Sequence, residues 1–396
     1  MNKHKPCPKL LIILFLIKTY ALAGQIIYGT NNYIEYHTGT LPIVISVPHG
    51  GLVAPAGIPN RTCNNPTTGT DTNTIELAKQ IDSSFLRMTG CRPHIIYCNL
   101  RRTKIDCNRN IADGACGNAE AETAWTEFHQ FIETAQETAQ TAYDNKAIYF
   151  DLHGHGHIMQ RLELGYVLTG AQLALSDNVL NTPEYIGQSS IQNLVNQNVN
   201  GYTHAQLLRG DFALGTLMAQ SGYPSVPSQQ TPNPGPLNPY FNGGYNTANY
   251  TCYTPGNTIN GFQLECNFMN VRDTPNNRRA FADTLVSVLL TFLDHHHELP
   301  VASCGISGQE SAQQAKGPTI YPTFLGDNTP IQINGADLSG KVFRIFGITG
   351  QLITSGKVRP DNTIGVDGVF SRGMYVLVVD DADAQRRHAW KLIKGS

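Results

Sequence analysis

Short apolar runs and longer amphipathic stretches take turns along this chain. Leu41-Pro42-Ile43-Val44-Ile45-Ser46-Val47, His94 to Tyr97, Ala147-Ile148-Tyr149-Phe150 and Gly261 to Asn267 are such runs, rich in β-branched and aromatic residues, and read as buried strands. Between them, Ile75, Leu77, Ala78, Ile81, Phe85 and Leu86 recur at helical spacing after the turn residues Gly69 to Thr74. A second helix is expected from Ala119 to Tyr143, with Trp125, Phe128, Phe131 and Ile132 on its apolar side. Strand, helix, strand is a crossover unit, so the fold class is α/β with a parallel-rich mixed sheet flanked by helices. Gln25 to Tyr36 reads as a leading β-hairpin, Leu162 to Thr169 as a further strand, Ser190 to Asn198 as a short helix and Arg278 to Asp294 as the closing helix. Six prolines between Pro224 and Pro239 predict a surface loop there, bordering any site at the strand ends.

The pattern changes after the closing helix. Residues 303 to 325 turn rich in Ser, Gly, Gln and Pro, a linker composition, and from Gly340 onward short alternating strands are punctuated by glycine turns. The expected organisation is a large domain over 24–302, a linker over 303–325 and a small C-terminal β-sandwich over 326–396. At the start, Lys3, His4, Lys5 and Lys9 precede the apolar run Leu10 to Ile17, and Ala21-Leu22-Ala23 follows. That is the pattern of a secretory signal peptide over residues 1–23, and nothing beyond it predicts a transmembrane anchor.

Export changes what cysteine means. Cys63, Cys91, Cys98, Cys107, Cys116, Cys252, Cys266 and Cys304 follow the signal, none in a C-x-x-C pair, so up to four disulfides are expected rather than a thiolate metal site. The chain of 396 residues is 41% hydrophobic and 15% charged, with a net charge of -2. A balance this close to neutral argues against nucleic acid as a partner.

Candidate chemistry gathers at strand ends. The run Phe150-Asp151-Leu152-His153-Gly154-His155-Gly156-His157 leaves a buried strand, and Pro48-His49-Gly50-Gly51 leaves another. In α/β folds ligands sit beyond the carboxyl ends of parallel strands, and imidazole is the commonest zinc ligand. Asp71 precedes a helix, where it serves either as an N-cap or as an acidic metal ligand. Arg101, Arg102, Lys104, Asp106 and Arg109 crowd one loop, and an arginine there could grip a carboxylate with its planar fork. Glu265 interrupts an apolar strand, as a salt-bridge partner of Arg272 or as a general base. His295, His296 and His297 end a helix, where cations favour its dipole.

These residues resemble the N-formylglutamate amidohydrolase family, a branch of the zinc-carboxypeptidase-like hydrolases. The resemblance runs from about Leu41 to Leu293 through Ser46-Val47-Pro48-His49-Gly50-Gly51, Asp71-Thr72-Asn73, Ile105-Asp106-Cys107-Asn108-Arg109, Phe150-Asp151-Leu152-His153, Leu214-Gly215-Thr216, Gly243-Gly244-Tyr245 and Gln263-Leu264-Glu265. It implies a zinc-carboxypeptidase/phosphorylase-hydrolase-like fold and one catalytic Zn2+ held by His49, His153 and an acid, Asp71 or its fallback Glu76. It further implies Glu265 as the catalytic base and Arg109 as the binder of a substrate carboxylate; Asn108, Arg102 and His155 are expected beside the substrate, with Arg102 or His155 against the oxyanion. Formylglutamate-cleaving members carry Asp-Ala-His-Ser where this chain has Asp151-Leu152-His153-Gly154.

The C-terminal region resembles the sorting domain of the type IX secretion system in Phe343 to Leu352, Gly373-Met374-Tyr375-Val376-Leu377 and Lys391-Leu392-Ile393-Lys394. That implies the type IX machinery as a partner and a secreted or cell-surface location. The expected activity is therefore zinc-dependent hydrolysis of an amide bond in an N-acyl amino acid or short peptide. A carboxypeptidase, a peptidoglycan amidase and a catalytically idle surface-binding protein are the alternatives.

Overall fold

The computed structural model describes residues 24–299 and residues 318–394 apart from 322–323, 326–329, 348–350, 367–369, 372 and 382–385. The chain divides into two units between Ile306 and Ser307. The expected signal peptide and most of the expected linker lie outside the described residues.

The first unit is built on one eight-stranded sheet. Its strands are β1 (Ile26–Tyr28), β2 (Ile34–His37), β3 (Ile43–Val47), β4 (His94–Cys98), β5 (Ile148–Gly154), β6 (Leu162–Gly165), β7 (Ser225–Val226) and β8 (Asn260–Cys266), in the spatial order β1-β2-β4-β3-β5-β8-β6-β7. The central four, β4, β3, β5 and β8, run parallel, and β2 and β6 flank them antiparallel. Helix α1 (Thr74–Thr89) carries the chain from β3 to β4, and α3 (Ala119–Ala142), after the short α2 (Ile111–Ala115), carries it back past β3 to β5.

The strand order thus reverses between β3 and β5, which opens a crevice at their carboxyl ends. Alternation along the strands splits the core. Ile43, Ile45, Val47, Phe150, Leu152, Phe262 and Leu264 pack with α1 and the closing helix Pro275–His297. Val44, Ile96 and Tyr149 pack with Phe128 and Ile132 of α3 on the other face. Ser46, Asp151 and Gln263 align across β3, β5 and β8, one row below His153 and Glu265. Because side chains two apart share a face, the α3 side of the sheet turns polar at its carboxyl end.

Three sequence expectations change here. The Pro-rich stretch contains β7, which pairs parallel with β6. Ser190 to Asn198 holds only one helical turn, Leu194–Gln197. The three closing histidines are not cations at a dipole: His296 and His297 are buried, and burial lowers both imidazoles to about 4. Burial lowers His94, on β4, to about 4 as well. Rings held neutral by the fold contribute stability above the unfolded value of 6.5 that is lost as pH falls toward 4. Each ring is expected to cost on the order of 2 kcal/mol by pH 5. Urea unfolding at pH 7.5 and pH 5 checks this, and equal stabilities would contradict it.

The disulfide expectation is met in part. Cys63 and Cys116 are bonded to each other and Cys91 is disulfide-bonded as well, whereas Cys98, Cys107, Cys252 and Cys266 are buried thiols. Cys304 lies outside the described residues. The four thiols sit within the packed interior of the first unit, where cysteine behaves as a small apolar side chain.

The second unit contains a five-stranded sheet ordered Phe324–Leu325, Arg386–Lys394, Gly373–Asp381, Val342–Gly347 and Leu352–Lys357. A three-stranded sheet, ordered Thr363–Ile364, Ile331–Asn334 and Thr319–Tyr321, completes it. Thr319–Tyr321 lies inside the expected linker yet pairs with Ile331–Asn334 and buries Ile320. Flanking Pro318 and Pro322 disguise this three-residue strand in the sequence.

Candidate metal centre

The crevice between β3 and β5 is lined by the histidines singled out above. After β3 the chain turns through His49-Gly50-Gly51, and the glycines are needed for close approach. A Cβ on Gly50 would lie 2.4 Å from Thr74 Oγ1, and one on Gly51 would lie 2.3 Å from the Asn99 backbone. The start of α1 is therefore drawn against the strand end, and the Asp71 amide donates to the His49 carbonyl at 3.0 Å. Asp71 is not the helix cap. Asn73 holds that position in the left-handed conformation, which frees the Asp71 carboxylate to turn toward the histidines.

His49 Nδ1 and His153 Nδ1 are 3.1 Å apart, and Asp71 Oδ2 lies 3.4 Å from the first and 3.1 Å from the second. Each ring is fixed from behind. His49 Nε2 meets Asp106 Oδ1 at 2.6 Å, and His153 Nε2 meets Asp151 Oδ2 at 2.6 Å. Carboxylates accept only, so both Nε2 atoms carry a proton, and with a metal cation in place of any proton among them both Nδ1 atoms would present lone pairs.

Three electron-rich atoms in mutual contact repel unless a cation lies among them. Ligands about 2.0–2.1 Å from a tetrahedral ion sit about 3.3 Å from one another, which matches these separations. His49, Asp71 and His153 could thus hold a metal ion. Glu76, the alternative acid, is exposed on α1.

The electrostatics agree. Burial alone would raise the Asp71 carboxyl, but the two imidazoles outweigh it and hold Asp71 well below the usual carboxylate range. Burial opposes charge on His153, yet Asp151 and Asp71 raise it well above an ordinary histidine. The cluster attracts positive charge even when the charge is a proton.

Asp106 is a hub that the sequence did not single out for a role. Besides His49 it meets Arg102 Nε at 3.1 Å, Arg109 Nε at 3.4 Å and Arg61 Nη2 at 3.5 Å. Asp151 accepts from Ser46, Asn246 and His153. A usable signal for Asp151 was present, since Asp and His two apart in a strand point the same way. No comparable spacing tied Asp106 to His49, because only the fold brings β3 and the loop after β4 together.

Glu265 lies beside His153 on the neighbouring strand and lines the same cleft, of about 660 Å³. Its Oε1 accepts from Gln263 Nε2 at 2.8 Å, and its Oε2 has no hydrogen-bond partner. Burial pushes this carboxyl up to about 8 against the pull of His153. The salt bridge to Arg272 is not formed. Arg272 donates instead to the carbonyls of Cys266 at 3.1 Å, His155 at 3.0 Å and Thr72. It clamps the ends of β8 and β5 to the Asp71 loop. Arg272→Met leaves three carbonyls without this donor and is expected to cost roughly 3 kcal/mol in a urea titration. An unchanged midpoint would remove the clamp from the account.

The remaining candidates are placed as follows. Arg109 is half-buried in the cleft wall, with Nη2 on Thr67 Oγ1 at 3.3 Å. Asn108 lies 3.2 Å from His153 Nε2 through its amide nitrogen and accepts from the Asn246 amide at 2.8 Å. Arg102 also reaches Asp71 Oδ1 at 3.5 Å, so it serves the carboxylate oxygen turned away from the histidines. His155 is buried with both ring nitrogens engaged, Nε2 with the Arg161 carbonyl at 2.8 Å and Nδ1 with the His157 amide at 3.1 Å. Phe241, Gly243, Gly244 and Tyr245 form another part of the cleft lining.

No protein-family model matches the chain, and no curated protein matches it. Solved structures include one with a local likeness to part of this chain. It is of PorZ, described as an essential bacterial surface component of the type-IX secretion system of Porphyromonas gingivalis, with a TM-score of 0.18 and 18% identity. The match covers 20% of this chain and 12% of that one, too little to carry an argument. Among the described residues no helix is long and apolar enough to cross a membrane.

Proposed function

We propose that the chain is a metal-dependent hydrolase of an amide bond in a small carboxylate-bearing substrate, an N-acyl amino acid or short peptide. One observation carries this reading. Three converging ligand atoms, His49 Nδ1, His153 Nδ1 and Asp71 Oδ2, share a cleft with a buried carboxyl whose Oε2 is unpartnered. Two histidines and one carboxylate suit zinc. Zinc in such a site supplies Lewis acidity toward an acyl oxygen and toward water.

The chain's own residues do the rest. Glu265 takes a proton from water, and its raised pKa equips it to return that proton to the leaving nitrogen. Asp106 and Asp151 hold the two imidazoles in one tautomer and orientation. Arg109, in the cleft wall, offers its guanidinium to the substrate carboxylate and fixes the acyl group before attack. Arg109→Ala is expected to raise KM about tenfold or more with a smaller change in kcat, measured on an N-acyl amino acid beside its carboxamide analogue. If the variant favours the acid over the amide as strongly as the wild type does, Arg109 is not the carboxylate binder.

The chain is further proposed to be exported. Its Cys63–Cys116 disulfide favours an oxidising compartment. Residues from both sheets of the second unit, among them Ile331, Ile333, Ile345 and Leu377, join in one core, which supports a small β-sandwich acting as a sorting domain. Screening a panel of N-acyl amino acids and dipeptides with zinc-loaded protein tests the activity, and no turnover across the panel would favour a surface-binding role.

A further inference from the structure

A second group of ligand-type side chains lies outside the centre just described. We propose that His155, His157 and Glu163 form a second binding site for a divalent transition metal of the zinc type. One ligand atom from each residue lies within 4.8 Å of the others.

The chemistry of each atom fits. The His155 amide donates to the Cys266 carbonyl at 3.0 Å, which extends the pairing of β5 with β8 and fixes this residue beyond the first centre. Its Nε2 faces the Arg161 carbonyl at 2.8 Å, and a carbonyl only accepts, so Nε2 carries the proton and Nδ1 is the ligand atom; Nδ1 accepts the His157 amide at 3.1 Å, a contact that an ion bound there would replace. A backbone carbonyl behind the ring is a common support for a metal-bound histidine. His157 Nδ1 stands 3.0 Å from Glu163 Oε1, and Glu163 Oε2 accepts the Phe241 amide at 2.8 Å. The carboxylate is thereby oriented, with Oε1 turned toward the two rings.

Charge points the same way. Glu163 is fully buried and sits directly opposite Glu265 on the adjacent antiparallel strand. Facing acids on neighbouring strands are unfavourable. The nearest guanidinium nitrogen, Arg161 Nε, is 3.8 Å from Glu163 Oε1, beyond hydrogen-bond length, and is itself without a hydrogen-bond partner. A divalent cation on Oε1 would offset what Arg161 does not. Access is available because His157 is half-buried in the cleft wall. The site would also tie down the cleft rim, since the Phe241 ring stacks on His157 at 4.7 Å.

This inference stands apart from the hydrolase reading, because a catalytically idle protein could bind two ions. The test is equilibrium dialysis of metal-stripped full-length protein against Zn2+, with elemental analysis and circular dichroism to verify folding. Wild type is expected to bind two ions per chain, and His157→Ala one. His153→Ala is expected to lose the first ion and keep the second. Glu163→Gln, which preserves shape at the buried position, should match His157→Ala, each weakening the second ion at least tenfold. A single ion in wild type, or two ions retained in folded His157→Ala and Glu163→Gln, would overturn the proposal.

Discussion

Glu265→Gln is expected to lower kcat by about 10²–10⁴, the range for losing a general acid-base group, while the protein keeps its metal. The amide is isosteric and can still accept from Gln263 Nε2 through its oxygen, so the β8 geometry is retained. What disappears is the ability to hold a proton at Oε2, the buried atom that no neighbour satisfies. A structural carboxylate in this position would be paired, and Arg272 is close enough in sequence to have paired it. Arg272 is committed to backbone carbonyls instead. The measurement is steady-state turnover on the best substrate of the panel, beside metal content, and turnover within a few-fold of wild type would remove Glu265 from the mechanism.

His153→Ala is expected to weaken metal binding by about a thousandfold or more. The variant removes one of three lone pairs, and Asp71 Oδ2 and His49 Nδ1 are left 3.4 Å apart with no third donor. Asp151→Asn should act more mildly, about 10–100-fold, because it loosens the ring without deleting the ligand. Glu76→Gln should change nothing, since Glu76 faces solvent on α1. Competition with a chromogenic chelator measures all three affinities. If Glu76→Gln and His153→Ala weakened binding equally, the assignment of Asp71 as the acidic ligand would be wrong.

Much of this architecture is legible before any coordinates. The β-branched runs at Ile43 and Ile148 and the helical spacing from Ile75 to Phe85 announce a parallel α/β sheet. Two strands that both end in histidine followed by glycine point to the crevice between them. Local pattern cannot decide between acids close together in sequence. Asp71 and Glu76 are both plausible until α1 is built, when one turns inward and the other outward. Nor can it show that Arg272 bonds to carbonyls rather than to Glu265, because both uses bury the same guanidinium.

The cysteines mislead for a related reason. Their even number after a signal-like start suggests pairing, yet Cys98, Cys107, Cys252 and Cys266 are held within the core as thiols. From the sequence, His155 reads as a group placed to meet substrate. Only the loop through Arg161 and His157 shows its two nitrogens already engaged.

The central claim is that His49, Asp71 and His153 together hold a divalent metal ion. Its most direct test is elemental analysis of purified full-length protein after dialysis against Zn2+ and gel filtration, beside His153→Ala handled identically. The account predicts bound zinc in the wild type and one ion fewer per chain in the variant. Folded wild-type protein that retains no metal, or a variant that retains as much as wild type, would contradict it.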